Sequence, residues 1–278
     1  MAGETRMELA ERLTTAARWL RDADGILITA GAAMCVDSGL PDFRDEGAFW
    51  RAYPALKAHG IGFQDIANGE AFRRDPVHAW GFYGHWLNLY RRTAPHVGFD
   101  ILCRWASTKE HGVFVFTGNI DGQFQKAGFE RKRILECHGS LHRLQCSRPC
   151  SPDTWSANDL DPEVDEEHCR LVSELPRCQK CGSVVRPNVL LFTDDDWNDY
   201  AVRRQRMRFE AWLLSAERKV VIEVGASRTA LSGQSVPRTT TSPVIRIGPD
   251  AYDVNRKRDI GIRGCVLDTL RKLDESIG

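Results

Sequence analysis

Four cysteines stand at the spacing of a metal site, in Cys146-Ser-Arg-Pro-Cys150 and Cys178-Gln-Lys-Cys181. Each short turn presents two thiolates to one point, so the two pairs together predict a single tetrahedral zinc ion. Because all four ligands are thiolates, no position is left for water, and the site is expected to be structural rather than catalytic. Free thiols or disulfides remain the alternative for these residues.

A second candidate site is the glycine-rich stretch Thr29-Ala30-Gly31-Ala32-Ala33, which follows an apolar segment. Small residues at this point let the backbone approach a pyrophosphate, and a helix that begins there offers free N–H groups. The match to Gly-x-Gly-x-x-Gly is poor, and the acidic residue expected further on is not evident. By itself the stretch is a weak indication of a nucleotide site.

Four short apolar segments are predicted to form a parallel sheet that is buried on both faces, at residues 25–29, 112–117, 219–224 and 243–247. Each is followed by small or polar residues, Ala30-Gly31-Ala32, Gly118-Asn119-Ile120-Asp121, Gly225-Ala226-Ser227 and Gly248-Pro249-Asp250 respectively. Ligands bind at the carboxyl edge of such a sheet, so these loops are expected to share one cleft. Ordinary turns are the alternative. Amphipathic helices are predicted around Leu9–Leu20 and over 265–277.

Length and charge bound the function classes. The 278 residues allow one large domain with a smaller inserted one, and 38 basic residues balance 38 acidic ones. A net charge of zero gives no electrostatic argument for binding nucleic acid or a membrane. The polar N-terminus and the lack of an apolar run of roughly 20 residues predict neither a signal peptide nor a membrane span. Nine cysteines, five of them scattered singly, favour a reducing, cytoplasmic location.

Four motifs occur along the chain in a characteristic order: Gly31–Arg44 (GAAMCVDSGLPDFR), Thr117–Asp121 (TGNID), His138–Ser140 (HGS) and Arg186–Phe192 (RPNVLLF). Together they resemble the motifs of the sirtuins, or Sir2 family, which are NAD-dependent protein lysine deacylases. The zinc cysteines lie between the last two motifs, as they do in that family. The resemblance covers nearly the whole chain and is highly specific in combination.

The resemblance implies a mechanism that these residue types support. NAD would lie across the carboxyl edge of the sheet, with its pyrophosphate over Gly31–Ala33. Asn119 and Asp121 would hold the nicotinamide ribose and the carboxamide. His138 would be the general base on a ribose hydroxyl, because the pKa of histidine lies near the working pH. The products would be free lysine, nicotinamide and an O-acyl-ADP-ribose.

The resemblance also implies which residues contact the ligands. The expected cofactor contacts are Gly31, Ala32, Ala33, Ser38, Asp42, Phe43, Arg44, Asn119, Ile120, Asp121, Gly225, Ser227 and Gly248. An acylated lysine peptide is expected to add as a strand between the Val189–Phe192 segment and the Gly225–Ser227 loop. Phe192 and Phe43 would form the walls of an apolar tunnel for the acyl-lysine, and Tyr83 would contact the substrate.

The chain departs from the family pattern at several positions of the cofactor site. Ala33 replaces the third residue of a Gly-Ala-Gly turn, Gly118 replaces a glutamine, and Gly248 replaces an asparagine. Together these changes predict weakened or specialised NAD chemistry. Trp86 stands where the branch that removes acidic acyl groups has an arginine three residues after its tyrosine, here Tyr83. An uncharged indole cannot pair with a succinyl carboxylate, so an uncharged acyl group is expected.

The predicted fold class is therefore α/β, a Rossmann-like parallel sheet with helices on both faces and an inserted smaller lobe that has a helical part and a zinc module. The larger lobe is predicted at 1–45, 96–140 and 188–278, and the smaller at 46–95 (helical) and 141–187 (zinc module).

Rival functions are ADP-ribosyl transfer, NAD hydrolysis, deacylation of a small metabolite, and NAD sensing without catalysis. His138 as a structural residue, Asn119 and Asp121 as turn formers, and Asp42 with Arg44 as a surface ion pair are the non-functional alternatives. The oligomeric state is not predicted.

Overall fold

The computed structural model describes residues 6–41, 46–225, 241–249, 254 and 258–278. Its α-helices are α1 (Arg6–Asp22), α2 (Glu46–Ala52), α3 (Pro54–Ala58), α4 (Phe63–Ile66), α5 (Ala71–Arg74), α6 (Pro76–Arg92), α7 (Val97–Ser107), α8 (Gln123–Lys126), α9 (Tyr200–Ser215) and α10 (Val266–Ile277). Short 3-10 helices cover Ala32–Met34, Val36–Ser38 and Arg131–Arg133. The strands are β1 (Gly25–Ala30), β2 (Val113–Thr117), β3 (Ile134–Glu136), β4 (Gly139–Cys146), β5 (Trp155–Ser156), β6 (Val164–Asp165), β7 (Arg170–Leu171), β8 (Val185–Val189), β9 (Lys219–Val224), β10 (Val244–Gly248) and β11 (Ile260–Arg263).

The central sheet is parallel, with six strands in the order β11-β10-β9-β1-β2-β3. All four predicted sheet strands are present, and the predicted fold class is confirmed. The predicted set lacked two of the six strands, β3 and β11. β3 has only three residues, and the β11 sequence Ile-Gly-Ile-Arg contains only two large apolar residues and resembles a turn.

Alternation along the strands divides the core into two layers. Ile26 and Ile28 of β1 pack on the side of α1, α7 and α10, whereas Leu27 faces the layer that contains Phe209 and Trp212 of α9. Successive side chains of a strand point to opposite faces, so a sheet covered on both sides needs apolar residues at every position. This requirement explains the unbroken apolar runs in the sequence.

A third apolar cluster surrounds α6 and the small antiparallel sheet β5-β4-β8. Trp80 of α6 is fully buried and donates from Nε1 to the Val185 carbonyl at 2.7 Å. Gly81 lets α6 contact the β6–β7 hairpin, since a Cβ there would lie 2.1 Å from the Cys169 carbonyl oxygen. Helices α2 to α6 occupy the segment predicted to be helical, and the exact lobe boundaries remain a prediction.

None of the helices in the described part of the chain is long and apolar enough to cross a membrane.

Candidate active site

The strand order reverses between β1 and β9, because β1 pairs with β2 on one side and with β9 on the other. A reversal of this kind leaves a crevice at the carboxyl ends of the strands, where open α/β sheets bind ligands. The loops that follow β1 and β9 meet there: Gly31 N–H donates to the Val224 carbonyl at 3.0 Å, and Ala33 N–H donates to the Gly225 carbonyl at 3.4 Å.

Gly225 permits this close approach of the two loops. Its φ is +62°, and a Cβ would lie 2.3 Å from Met34 N and 3.0 Å from the Gly31 carbonyl oxygen. Only glycine meets both conditions without strain. Main-chain atoms of Gly31, Ala33 and Gly225 therefore form a close contact between the two loops at the sheet edge, here called the cradle. Open α/β proteins bind pyrophosphate through backbone N–H groups at this edge.

Asn119 and Asp121 are held in position by their own loop and by the loop after β1. Asn119 N–H donates to Thr117 Oγ1 at 3.0 Å, and its Nδ2 donates to the Gly31 carbonyl at 3.1 Å. Asp121 Oδ1 accepts from Gln123 N–H at 2.8 Å, while Oδ2 accepts from the Cys35 thiol at 3.0 Å. Burial raises the pKa of Asp121, and the two hydrogen bonds oppose that rise.

His138 follows β3, and a hydrogen bond to the loop after β2 orients its ring. Nδ1 lies 3.0 Å from the Gly118 carbonyl, so the neutral ring donates from Nδ1 and keeps its lone pair on Nε2. Burial lowers the pKa of His138, which favours the neutral form. Gly139 follows with φ +79° in contact with Asn188, where a Cβ would lie 2.1 Å from the carbonyl oxygen. The histidine is therefore held in the tautomer that a general base needs.

One cavity of about 440 Å³ collects most of these groups. Among the predicted site residues it is lined by Ala32, Tyr83, Asn119, Ile120, Asp121, His138, Val189 and Phe192. Its opposite end is aromatic, with Phe63 in edge contact with Phe192 (ring centroids 6.0 Å apart) and Trp86 in edge contact with Tyr90 (5.0 Å). The cavity thus joins a polar end at the sheet edge to an apolar end beside α6.

A buried ion pair holds the segment between β8 and α9 that forms one wall of the cavity. Arg186 Nη1 and Nη2 donate to Asp194 Oδ1 and Oδ2 respectively, and each side chain is only 1% exposed. Arg186 Nη2 also donates to the Val189 carbonyl at 3.2 Å, and Asp194 Oδ2 accepts from Leu191 N–H at 3.2 Å. The fork geometry of a bidentate pair fixes the direction of the wall as well as its position.

The other predicted residues lie outside this cavity or outside the described residues. Ser38 Oγ accepts from His96 N–H at 3.0 Å, and Gly248 lies at the carboxyl end of β10. Gly31, Ala33 and Gly225 form the cradle described above. Asp42, Phe43, Arg44 and Ser227 lie outside the described residues.

Two residues that matter here were not assigned a role from the sequence. The Cys35 thiol donates to Asp121 and also lies 3.4 Å from Asn119 Nδ2. His96 accepts from Gly98 N–H at Nδ1 and therefore donates from Nε2 to the Met34 carbonyl, 2.9 Å away. Cys35 lies within the Gly31–Arg44 motif, and this position could have indicated a role in the site. Nothing in the sequence around His96 indicates its contact with Met34, 62 residues away.

His142 lies behind the active site, with Nε2 2.9 Å from the Asp121 carbonyl.

The four predicted zinc ligands form one cluster. Their Sγ atoms all lie within 4.8 Å of one another, with Cys146 and Cys181 3.5 Å apart and Cys150 and Cys178 3.7 Å apart. Four thiolates about 2.3 Å from a tetrahedral zinc ion are separated by about 3.8 Å, so the cluster fits a structural zinc site. Cys169 is buried elsewhere and is not part of the cluster.

Comparison with known proteins identifies the family. The sequence profile of the Sir2 family matches residues 31–229, which is more than half of the chain. The chain belongs to the Sir2 family. Two similar Sir2 relatives are the NAD-dependent protein deacylase of Pyrococcus furiosus (29% identical, covering 89% of this chain and 90% of that protein) and NAD-dependent protein deacylase 2 of Pseudomonas aeruginosa (28% identical, 95% and 96%). A solved Sir2 homologue in complex with NAD superposes with a TM-score of 0.69 at 21% identity, over 95% of this chain and 93% of that one, and shares the fold.

Proposed function

We propose that this Sir2 protein is an NAD-dependent protein lysine deacylase, which transfers the acyl group to ADP-ribose and releases nicotinamide. The observation that carries the proposal is that Asn119, Asp121 and the neutral ring of His138 line one cavity at the carboxyl ends of β1, β2 and β3. A protein that only binds NAD needs no base there, whereas proton transfer does. Curated relatives that match almost the full chain are named for the same activity.

The cofactor site is proposed to extend along the sheet edge. Gly31, Ala32 and Ala33 with Gly225 are assigned to the pyrophosphate, because the main chain of these two loops forms the cradle at the sheet edge. Asn119, Ile120 and Asp121 are assigned to the nicotinamide riboside. Ser38 and Gly248, with Asp42, Phe43, Arg44 and Ser227 of the undescribed segments, complete the proposed contacts.

NAD bound in this site supplies an electron-poor ribose carbon once nicotinamide has left. His138 is assigned as the general base: Nε2 takes the proton of a ribose hydroxyl while Nδ1–H stays on the Gly118 carbonyl. Asn119 and Asp121, which both line the cavity, are assigned to orient the sugar and the carboxamide. The aromatic end of the cavity excludes water from the acyl group.

The acyl-lysine is proposed to enter beside the Val189–Phe192 segment, where Leu190 and Phe192 are 40% and 44% exposed. The N–H groups of Leu190, Leu191 and Phe192 already donate to His138, Asp194 and Ala67. An added peptide strand would therefore bond to the carbonyl oxygens of this segment and to the Gly225–Ser227 loop.

An uncharged acyl group suits the cavity. The described residues that line it include no lysine or arginine, and the end beside α6 is formed by Phe63, Tyr83, Trp86, Tyr90 and Phe192. Burying a carboxylate without a cation is costly, whereas an acetyl or longer hydrocarbon group gains from contact with aromatic rings.

The deciding experiment measures nicotinamide release from NAD by mass spectrometry with and without an acetyl-lysine peptide. We expect release that requires the peptide, gives deacetylated product, and falls about 100-fold or more in His138→Ala. His59→Ala is the matched control, since His59 is exposed and lies outside the cavity. Release without peptide would instead indicate NAD hydrolysis or ADP-ribosyl transfer, and NAD binding without any release would indicate a sensor.

A further inference from the structure

A second and larger cavity, of about 830 Å³, lies behind the active site between β3, β4, α8, α9 and the segment after the first cysteine pair. Tyr90 and Asp121 line both cavities, but His138 lines only the first. The second cavity is therefore separated from the acyl pocket by the Asp121 loop. Apart from Asp121, none of the proposed cofactor or peptide contacts lines it.

Six cationic side chains line this cavity, Arg91, Lys126, Arg131, Arg143, Arg204 and Arg208. Within the described ranges, no carboxylate lies within ion-pair distance of any of them. The net charge of zero for the whole chain does not reveal this local excess of positive charge. An accumulation of like charge around one concave surface is unfavourable unless a ligand of opposite sign is bound.

Neutral acceptors hold these cations without cancelling their charge. Arg91 donates to the Leu160 carbonyl at 2.6 Å, Lys126 to the Arg91 carbonyl at 2.7 Å, and Arg208 to the Lys132 carbonyl at 3.2 Å. Arg143 is anchored on Thr154, yet its buried Nε–H has no hydrogen-bond partner in the described structure. A guanidinium has five donors, so anchored arginines still present N–H groups to a ligand.

The acidic groups of the cavity do not offset this charge. They number three, Asp121, Glu136 and Asp153, against six cations. Asp153 is already paired with Lys180, whereas Asp121 accepts from the neutral donors Gln123 and Cys35, which do not cancel its charge. Burial raises the pKa of Glu136 to about 7, so this carboxyl is only partly ionised at neutral pH. The positive charges of Arg91 and Arg131 also reach His142, where they help to lower its pKa, although burial is the larger cause. The cavity is thus net positive.

We propose that this second cavity is a binding site for a small, multiply charged phosphate compound. The volume lies within the range of about 300–1,000 Å³ that is usual for small-ligand pockets. Six arginine and lysine side chains around a concave surface, most of them able to form forked hydrogen bonds, match the geometry of phosphate oxygens.

The test is calorimetric titration of the full chain with inorganic tripolyphosphate, in the presence of saturating ADP-ribose so that the cofactor crevice is already filled. We expect one binding site per chain. In the double variant Arg131→Gln and Arg204→Gln we expect the Kd to rise at least tenfold. Both side chains are exposed, so the variant is expected to fold, and its melting temperature checks this.

The matched control is the double variant Lys132→Gln and Arg206→Gln. It removes the same charge from the same two elements, but neither residue lines the cavity, so the Kd is expected to change less than threefold. Absence of binding to the ADP-ribose-saturated parent would overturn the proposal, as would equal losses in the two variants. Tighter binding of a DNA duplex, lost equally in both variants, would also overturn it and assign the charge to an open nucleic-acid surface.

Discussion

The Cys35 thiol donates a hydrogen bond to Asp121 Oδ2 at 3.0 Å, and both residues are buried, at 3% and 7% exposure. This contact joins the loop after β1 to the loop after β2, which are 86 residues apart in the chain. The thiol is held in its protonated form, because burial and the neighbouring carboxylate raise the pKa of Cys35. Cys35 therefore acts as a donor that orients the carboxylate.

Cys35→Ala removes this donor and leaves the carboxylate oxygen of Asp121 unpaired in a buried site. We expect kcat/KM for NAD to fall about 10- to 100-fold, since a hydrogen bond to a charged group contributes about 1.5–3 kcal/mol. Cys35→Ser keeps a donor at the same place and is expected to stay within about threefold of the parent. Steady-state kinetics with NAD varied at saturating peptide measure both. Equal losses in the two variants would contradict the assigned role.

The pH dependence of turnover follows from the environment of His138. Only the neutral ring accepts a proton, and burial lowers the pKa of this histidine from its ordinary value of about 6.5. Activity is therefore lost as pH falls through a pKa below about 6.5, and is retained at neutral pH. The acid limb of a kcat profile between roughly pH 5 and 8 measures this pKa. A limb centred above 7 would show that another group controls the reaction.

Gly225→Ala tests the contact between the two loops of the cradle. The residue has φ +62°, and a new Cβ would lie 2.3 Å from Met34 N, so we expect a loss of stability of about 3 kcal/mol together with weaker NAD binding. Gly112→Ala is the matched control. Its φ is +63°, but a Cβ there meets nothing within 4 Å, so it carries only the backbone strain, about 1 kcal/mol. Denaturant unfolding measures the loss of stability and NAD titration the loss of affinity in both variants. The difference between the variants gives the effect of the steric clash, apart from that of the backbone strain.

Removal of one zinc ligand tests the cysteine cluster. We expect the parent to contain one zinc ion per chain, and Cys181→Ser to lose the ion and to melt at least about 5 °C lower, because metal binding contributes directly to folding. Cys103→Ser, outside the cluster, is expected to keep the metal. Elemental analysis and thermal unfolding provide the measurements. Full zinc content in Cys181→Ser would show that the cluster is not the metal site.

The acyl preference is expected to depend on Trp86, which lies on α6 and lines the apolar end of the cavity. The parent should remove acetyl from lysine faster than succinyl, since no cation of the described lining can pair with the succinyl carboxylate. Trp86→Arg supplies a cation and should raise the succinyl-to-acetyl ratio of kcat/KM at least tenfold, whereas Trp86→Phe should leave it near the parent value. Faster desuccinylation by the parent would refute the preference.

The family and the fold class could be predicted from the amino-acid sequence alone, and both predictions are confirmed. Unbroken apolar runs that end in small residues predict a parallel sheet with a ligand edge, because a strand buried on both faces tolerates few polar side chains. Two close cysteine pairs predict a cysteine cluster that can bind a metal ion, because each short turn brings two sulfur atoms together. Both features depend on residues near one another in the chain, and the structure contains both.

Contacts between residues far apart in the chain could not be predicted in this way. The contacts of Cys35 with Asp121 and of His96 with Met34 join loops 86 and 62 residues apart, and the pairing follows from strand order, which local sequence does not specify. The cationic cavity has the same origin. Its side chains come from α6, α8, α9, β4 and the Arg131–Arg133 turn, and their charges balance to zero in the composition but converge in space because these elements pack around one hollow.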